Sequence, residues 1–464
     1  MARDFKLGPA QPPALTPPEA APPIRRETYA ARVAATRSRM AAAGLEALVV
    51  YGDREHAGNI AWLTGYDPRF EEALAVLLPT GDPVLMVGNE GVAYAAISPL
   101  ALDVKLCQSF SLIDQDRSLG ISLADVLAAA GLKPGMTVGL AGWKTFAAGE
   151  APDPARASEL PAFIVEAVRD IVGGADRTIN ATALFMAADG GLRTRCEPDQ
   201  IAAFEFAACR ASQGVLRAVR SVQPGKSEHA LAAELGWVGQ PLNYHPVVIS
   251  GPRTALGLAS PSGRRLERGD PVFMTMGGWG ANSVRAGYVA SGPADLPAHD
   301  RDWLEAVLMP YYGAVVTWYE GLRIGAAGGD IVAAVEPELT GGIERAALNP
   351  GHLIHIDEWV SSPFVRGGRI TLKSGMALQM DIIPVTRDGH FGANAEDGVV
   401  LADAALRAAL ARDCPDVWQR MQARRAFAVE TLGIALAEEV LPLSDILGWV
   451  PPWLMDPEQV LLPA

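Results

Sequence analysis

Cysteine is scarce in this sequence and is never paired in a metal-binding or redox spacing. The four thiols, Cys107, Cys196, Cys209 and Cys414, are scattered over 464 residues. Neither a disulfide framework nor a zinc site of CxxC type is expected, and reduced thiols in the cytoplasm are the simplest expectation. Long apolar runs are also missing. No uninterrupted stretch of about 18 apolar residues occurs, which argues against a transmembrane helix. The opening residues are rich in proline (Pro9, Pro12, Pro13, Pro17, Pro18, Pro22, Pro23) and lack the apolar core of a secretion signal. Positive charge is in deficit: 39 Lys and Arg against 53 Asp and Glu leave a formal charge of −14. A surplus of that sign repels phosphate backbones, so small molecules rather than nucleic acid are the expected partners.

What remains is an ordinary globular composition, 49% apolar and 20% charged, in a chain about three domain lengths long, so more than one core is expected. A proline-rich arm is read over 1–24. An α/β domain follows over 25–190. It has a helix over 27–43 closed by Gly44, a buried strand over 47–51 and a short helix over 59–63. Strands over 74–78 and 83–87 flank the turn Thr80-Gly81-Asp82, and a helix over 123–130 and a strand over 137–140 continue the alternation. The second domain, 191–464, reads as α+β. Glu197-Pro198-Asp199 opens a long helix over 200–222 ended by Pro224-Gly225, and Ser227 caps a shorter one. Strands are expected over 247–250, 272–276, 283–289, within 370–385 and over 399–401. Helices are expected over 302–322, 330–339 and 417–438, with an irregular tail rich in Pro, Trp and Leu.

Three segments resemble the "pita-bread" family of creatinases, prolidases and aminopeptidases P. Asn59-Ile60-Ala61-Trp62-Leu63-Thr64-Gly65-Tyr66 is similar to that family's N-x-x-Y-L-T-G-Y. Ser250-Gly251-Pro252 through Arg265-Leu266-Glu267-Arg268-Gly269-Asp270 is similar to its S-G-x-N…R-x-L-x-x-G-D stretch. Gly351-His352, Ser374-Gly375-Met376 and Glu396-Asp397 are similar to G-H-G-I-G, L-x-x-G-M and I-E-D. The resemblance implies an α/β creatinase-like N-terminal domain, an α+β pita-bread C-terminal domain and a homodimer.

The resemblance also marks candidate site residues. Metal-dependent members hold two divalent ions with two Asp, one His and two further acids. Those positions fall here on Thr275, Asn282, His352, Asp381 and Glu396. Two carboxylates are thus replaced by a hydroxyl and an amide, which are poor bridges between dications. No cofactor is therefore expected; the alternative is one Mn or Fe ion held by Asn282, His352, Asp381 and Glu396. Leu258 and Trp359 stand where the family has histidines, and His355 is a new histidine three residues after His352.

The leading expectation is a creatinase-like hydrolase acting at a C–N bond of a small polar compound. His352 and His355 would move protons while Asp381 and Glu396 orient substrate or water. Thr275, Asn282, Arg366 and Glu71 are candidate substrate contacts: Arg366 as a bidentate carboxylate clamp, Glu71 or Glu72 as reaching across the dimer interface beside Arg69. Asp357 and Glu358 are read as solvated. Two alternatives stay open, a single-metal Xaa-Pro-type metallopeptidase or lyase, and a binding protein of the same fold without catalysis.

Overall fold

The computed structural model describes residues 4–387 and 389–464. They form two compact units, one of Ile24–Thr194, the other of Arg195–Ala464 together with the residues up to Pro23. Strand β1 (Phe5–Pro9) therefore belongs to the longer unit.

The shorter unit is built on six strands: β2 (Ala47–Gly52), β3 (Ala73–Leu77), β4 (Val84–Val87), β5 (Asp103–Leu106), β6 (Val138–Ala141) and β7 (Thr178–Asn180), in the spatial order β5-β4-β3-β2-β6-β7. β3 runs antiparallel to both β2 and β4, while β5 lies parallel to β4 and β6 and β7 continue parallel from β2. The sequences ALVVYG, ALAVL and VLMV are apolar on both faces and every residue in them is buried, as strands covered on both sides require. Val49, Tyr51, Leu74, Val76 and Met86 share a core with Leu127 of helix Leu123–Ala129 and with Ile164 and Val168 of helix Ala162–Val172. Ser122 and Asp125 close a reciprocal capping box at the start of the first of these helices.

The longer unit carries β8 (Val247–Ser250), β9 (Pro271–Gly278), β10 (Ala281–Tyr288), β11 (Ile343–Ala346), β12 (His352–Leu353), β13 (Ala377–Met380), β14 (Pro384–Thr386), β15 (Ala395–Leu401), β16 (Val440–Pro442) and β17 (Gln459–Pro463). Seven of them make one sheet, β12-β13-β15-β10-β9-β8, with β16 paired to β15. Helix Pro198–Arg220, with proline in its first turn, buries Ile201, Phe204, Ala208 and Val215 and packs on β9 and β10.

Residues 4–23 are tied down along their length. β1 pairs antiparallel with β17 from Phe5↔Pro463 to Pro9↔Gln459. The Trp449 indole donates to the Ala10 carbonyl at 3.1 Å and Gln213 to that of Leu15 at 2.9 Å.

Two expected elements differ. The helix read over 417–438 stops early: helix Pro415–Ala426 loosens into a wide turn, Phe427–Thr431, and Gly433 then takes φ 70°, a left-handed value that ends it. The strands expected within 370–385 do not pair with each other, because β14 turns away to β11 while β13 joins the main sheet.

Candidate active site in the C-terminal unit

Sheet register brings the candidate residues together. β9 and β10 form a hairpin with Asn282 opposite Gly277 and Val284 opposite Thr275. β10 pairs in turn with β15, Val284 facing Glu396. His352 on β12 faces Gln379 of β13, and Asp381 follows directly after that strand. Neighbouring strands thus bring Thr275, Asn282, His352, Asp381 and Glu396 into one buried polar cluster. Alternation along β15 sends Glu396 to one face and Asp397 to the other, where Asp397 meets Arg285 of β10 at 2.8 Å. Gln379 reaches across Gly398, where a Cβ would lie 3.1 Å from its side-chain oxygen, and donates to the Asn282 carbonyl at 2.9 Å.

The pocket side chains form one continuous polar chain. Tyr244 bonds through its hydroxyl to Thr275 and Asn282. The Thr275 hydroxyl donates to Asn282 Oδ1 at 3.1 Å, and Asn282 Nδ2 donates to Glu396 Oε2 at 2.8 Å. Glu396 hydrogen-bonds Asp381, and Asp381 Oδ2 lies 4.0 Å from His352 Nε2, which is 3.1 Å from Glu358 Oε1. Trp359 stacks on the His352 ring at 4.3 Å.

Burial sets the electrostatics. It pushes Glu396 well above the ordinary carboxylate range, and the charges of Asp381 and Glu358 push the same way. Asp381 is also raised, by burial first, with His352 and the Glu396 hydrogen bond working against the shift. Of this hydrogen-bonded pair, Glu396 is shifted up further and keeps its proton to higher pH than Asp381. Around His352, burial opposes the imidazolium, but the hydrogen bond and charge of Glu358, with Asp381 behind, outweigh it and raise the pKa. A histidine shifted toward its protonated form thus stands beside buried carboxyls shifted the same way, a grouping suited to acid–base chemistry.

Three expected site residues stand elsewhere. The His355 ring packs edge-on against Phe204 of the long helix, 4.8 Å between centroids. The Arg366 side chain is exposed and paired with Glu336 at 2.6 Å. Glu71, in the other unit, is buried rather than presented at the surface, because its Oε2 accepts the backbone N–H groups of Glu90 and Gly91 at 3.0 and 3.2 Å. Conversely, Glu358 is a partner of His352 rather than a solvated charge. Tyr244 and Asn394, whose amide lies 3.5 Å from Glu396 Oε1, escaped the sequence reading. Asn394 sits two residues before Glu396 on the same approach, which is a usable signal; Tyr244 had none.

Comparison with known proteins accounts for this arrangement. Residues 206–403 match the model of metallopeptidase family M24, and residues 32–150 that of the creatinase/prolidase N-terminal domain. The chain belongs to the creatinase, prolidase and aminopeptidase P family. Solved structures of the same fold include an Xaa-Pro dipeptidase from Bacillus anthracis (16% identity, 81% of this chain and 96% of that one, TM-score 0.60). Dipeptidase PepE from Mycobacterium ulcerans (20%, 82% and 94%, 0.58) and the prolidase from Pyrococcus horikoshii OT3 (17%, 80% and 95%, 0.61) are further examples. No curated protein sequence matches the chain. The α/β creatinase-type domain followed by an α+β pita-bread domain is thus the family's architecture.

The expectation that no cofactor is needed, or one Mn or Fe ion at most, is corrected by this membership: the matched family is one of metallopeptidases, and its prolidases are two-metal enzymes. The chain's own donors can be set against such a pair. His352, Asp381 and Glu396 supply an imidazole and two carboxylates, but Thr275 and Asn282 are neutral, and the Asn282 amide oxygen is already engaged by Tyr244 and Thr275. Among the described residues no three His, Cys, Asp or Glu side chains surround a common point. This donor set does not fit a pair of ions, and no chemical step below is routed through metal. No helix among the described residues is long and apolar enough to cross a membrane.

Proposed function

We propose that the C-terminal unit hydrolyses a C–N bond of a small polar compound. The observation that carries the reading is the buried His352, 3.1 Å from Glu358 and 4.0 Å from Asp381. Beyond Asp381, whose charge it meets across 4.0 Å, hydrogen bonds continue from Asp381 to Glu396 and from Glu396 to Asn282. In the hydrolysis the ionised Asp381 accepts a proton from the attacking water, whose oxygen forms the new bond to carbon. His352, kept protonated by Glu358, delivers a proton to the nitrogen as the C–N bond breaks. Asn282, Thr275 and the Tyr244 hydroxyl hold the polar groups of the substrate. The proposal extends to a cytoplasmic homodimer, supported by four cysteines that form no disulfide and by family membership; sedimentation at micromolar concentration giving only monomer would refute the assembly.

The enzymatic test is turnover screening against guanidino compounds, betaines and Xaa-Pro dipeptides, with metal content measured on the same preparation. His352→Gln is expected to lower kcat by about 100-fold or more, the usual worth of a positioned acid. Saturable binding of these compounds without turnover would favour a binding protein of the same fold, and full activity of His352→Gln would remove the proposed acid.

A further inference from the structure

Strand β13 leaves the sheet at the point where the acids meet. It pairs with β15 only as far as Met380↔Asp397, and Asp381 and Ile382 follow outside any strand. The same register carried on would set Asp381 opposite Glu396 and Ile382 opposite Ala395. The first of these neighbours is realised, since the two carboxyl groups hydrogen-bond. The second is not, because the chain turns off and Pro384–Thr386 pairs with β11 instead. Ala286 donates its N–H to the Asn394 carbonyl. Residue 394 therefore faces β10, and the N–H and C=O of Ala395 point to the edge that β13 has left. Ala395 is buried, and buried backbone groups are costly without partners.

One side chain meets both groups. The Tyr311 hydroxyl accepts the Ala395 N–H at 2.8 Å and donates to the Ala395 carbonyl at 3.0 Å. These are the two bonds that Ile382 would have exchanged with Ala395. Tyr311 belongs to helix Met309–Gly321, most of which is buried, so a tyrosine there needs an internal partner for its hydroxyl. Tyr312 and Tyr319 of the same helix donate to the carbonyls of Gly448 at 3.0 Å and Asp397 at 3.2 Å. Tyr311 differs in holding an N–H as well as a C=O. The residue it holds lies between Asn394 and Glu396, whose side chains meet 3.5 Å apart.

We propose that Tyr311 is a positioning residue for the Asp381–Glu396 pair, its hydroxyl replacing Ile382 as the partner of Ala395 and so fixing where Glu396 stands beside Asp381. The chain can then peel away after Asp381 without loosening the strand that carries Glu396. The inference rests on the reading of that pair as part of the reacting site, but its test does not require turnover.

Nuclear magnetic resonance of the full chain supplies the test. In the parent, the Ala395 amide should exchange with solvent as slowly as that of Val399, which has a strand partner in Leu378. The Asn282 side-chain amide donates to Glu396 Oε2 at 2.8 Å and so reports where Glu396 stands; its resonance is assigned by its absence from Asn282→Asp. Tyr311→Phe should speed exchange of that amide by about tenfold or more, the worth of one hydrogen bond to a buried acceptor. Tyr312→Phe removes a hydroxyl bond of the same length from the same helix. It should lower the melting temperature comparably and leave the Asn282 amide at its parental rate. With any compound found in the turnover screen, Tyr311→Phe should lower kcat by about tenfold or more at unchanged KM. Parental Asn282 exchange or full kcat in Tyr311→Phe, equal acceleration in Tyr312→Phe, or fast exchange of Ala395 in the parent would each overturn the proposal, and the last needs no variant to fold. Absence of all turnover would count against the hydrolysis alone and leave the amide readings to decide the role of Tyr311.

Discussion

Replacing Arg285 by Met should damage the C-terminal unit more than most single changes. Arg285 is wholly buried on β10 and its guanidinium is fully used. It meets Asp397 at 2.8 Å, donates to the Trp449 carbonyl at 2.6 Å and to the Val284 carbonyl at 2.5 Å, and also bonds the Ile446 carbonyl. Methionine fills much of the volume but offers no donor, so Asp397 is left with the Ser444 hydroxyl at 2.6 Å as its remaining side-chain hydrogen bond. Removing one member of a buried pair costs about 3–5 kcal/mol. At roughly 2–4 °C per kcal/mol for a unit of this size, the melting temperature should fall by about 6–20 °C. Burial already raises the Asp397 pKa, and Arg285 is the main group holding it down. In Arg285→Met the folded value rises further, so the penalty applies above that value and is relieved as Asp397 takes up a proton at lower pH. Scanning calorimetry at several pH values should therefore show a deficit that narrows toward acid. Arg285→Met with Asp397→Leu should recover most of the loss, because a matched apolar pair can replace a buried ion pair. A deficit below about 1 kcal/mol, or one that is the same in acid as at neutrality, would show that the pair is not the source of stability assigned to it here.

Three other outcomes are expected. In metal-stripped protein, Glu358→Gln should lower the His352 titration midpoint, followed by its imidazole resonance, because burial then acts with less opposition; the stabilisation that charged His352 gives below its unfolded pKa, and that the parent loses as pH rises through the raised folded value, should shrink, and an unmoved midpoint would remove Glu358 as its partner. Gly214→Ala places a Cβ 2.3 Å from the Leu235 carbonyl oxygen, and urea unfolding should show a loss of about 1–3 kcal/mol, with parental stability counting against this close approach. Deleting residues 1–23 should lower the calorimetric transition of the longer unit and leave that of 24–194 in place, since β1 pairs only with β17; equal effects on both would contradict the division into units.

The sequence made the interior strands plain where both faces are apolar, as in Ala47–Gly52 and Ala73–Leu77. It also marked His352, Asp381 and Glu396 through motif resemblance, and these lie beside one another, Asp381 4.0 Å from His352 and hydrogen-bonded to Glu396. What it hid depends on tertiary approach. Glu358 looked solvated because charged neighbours on a loop usually are, yet the turn after β12 folds it back onto His352. His355 looked like a base, but its ring packs against Phe204, a residue 151 positions earlier in the numbering. Glu71 looked exposed within Arg69-Phe70-Glu71-Glu72, and nothing local tells that Gly88 leaves space for its carboxylate. β1 was invisible because LGP has no strand pattern of its own and finds its partner only at Gln459–Pro463.

That last pairing has a consequence for synthesis in the cell. Phe5–Pro9 leaves the ribosome long before Gln459–Pro463. At about 5–20 residues per second, the early strand waits for tens of seconds before its partner exists. During that interval its backbone N–H and C=O groups are an unfilled edge, open to any other extended segment. Ile24–Thr194 carries a complete sheet of its own and can fold in the meantime. The prolines spread through the first 23 residues cannot donate to a ladder, so they limit how far a wrong strand could extend along the waiting segment.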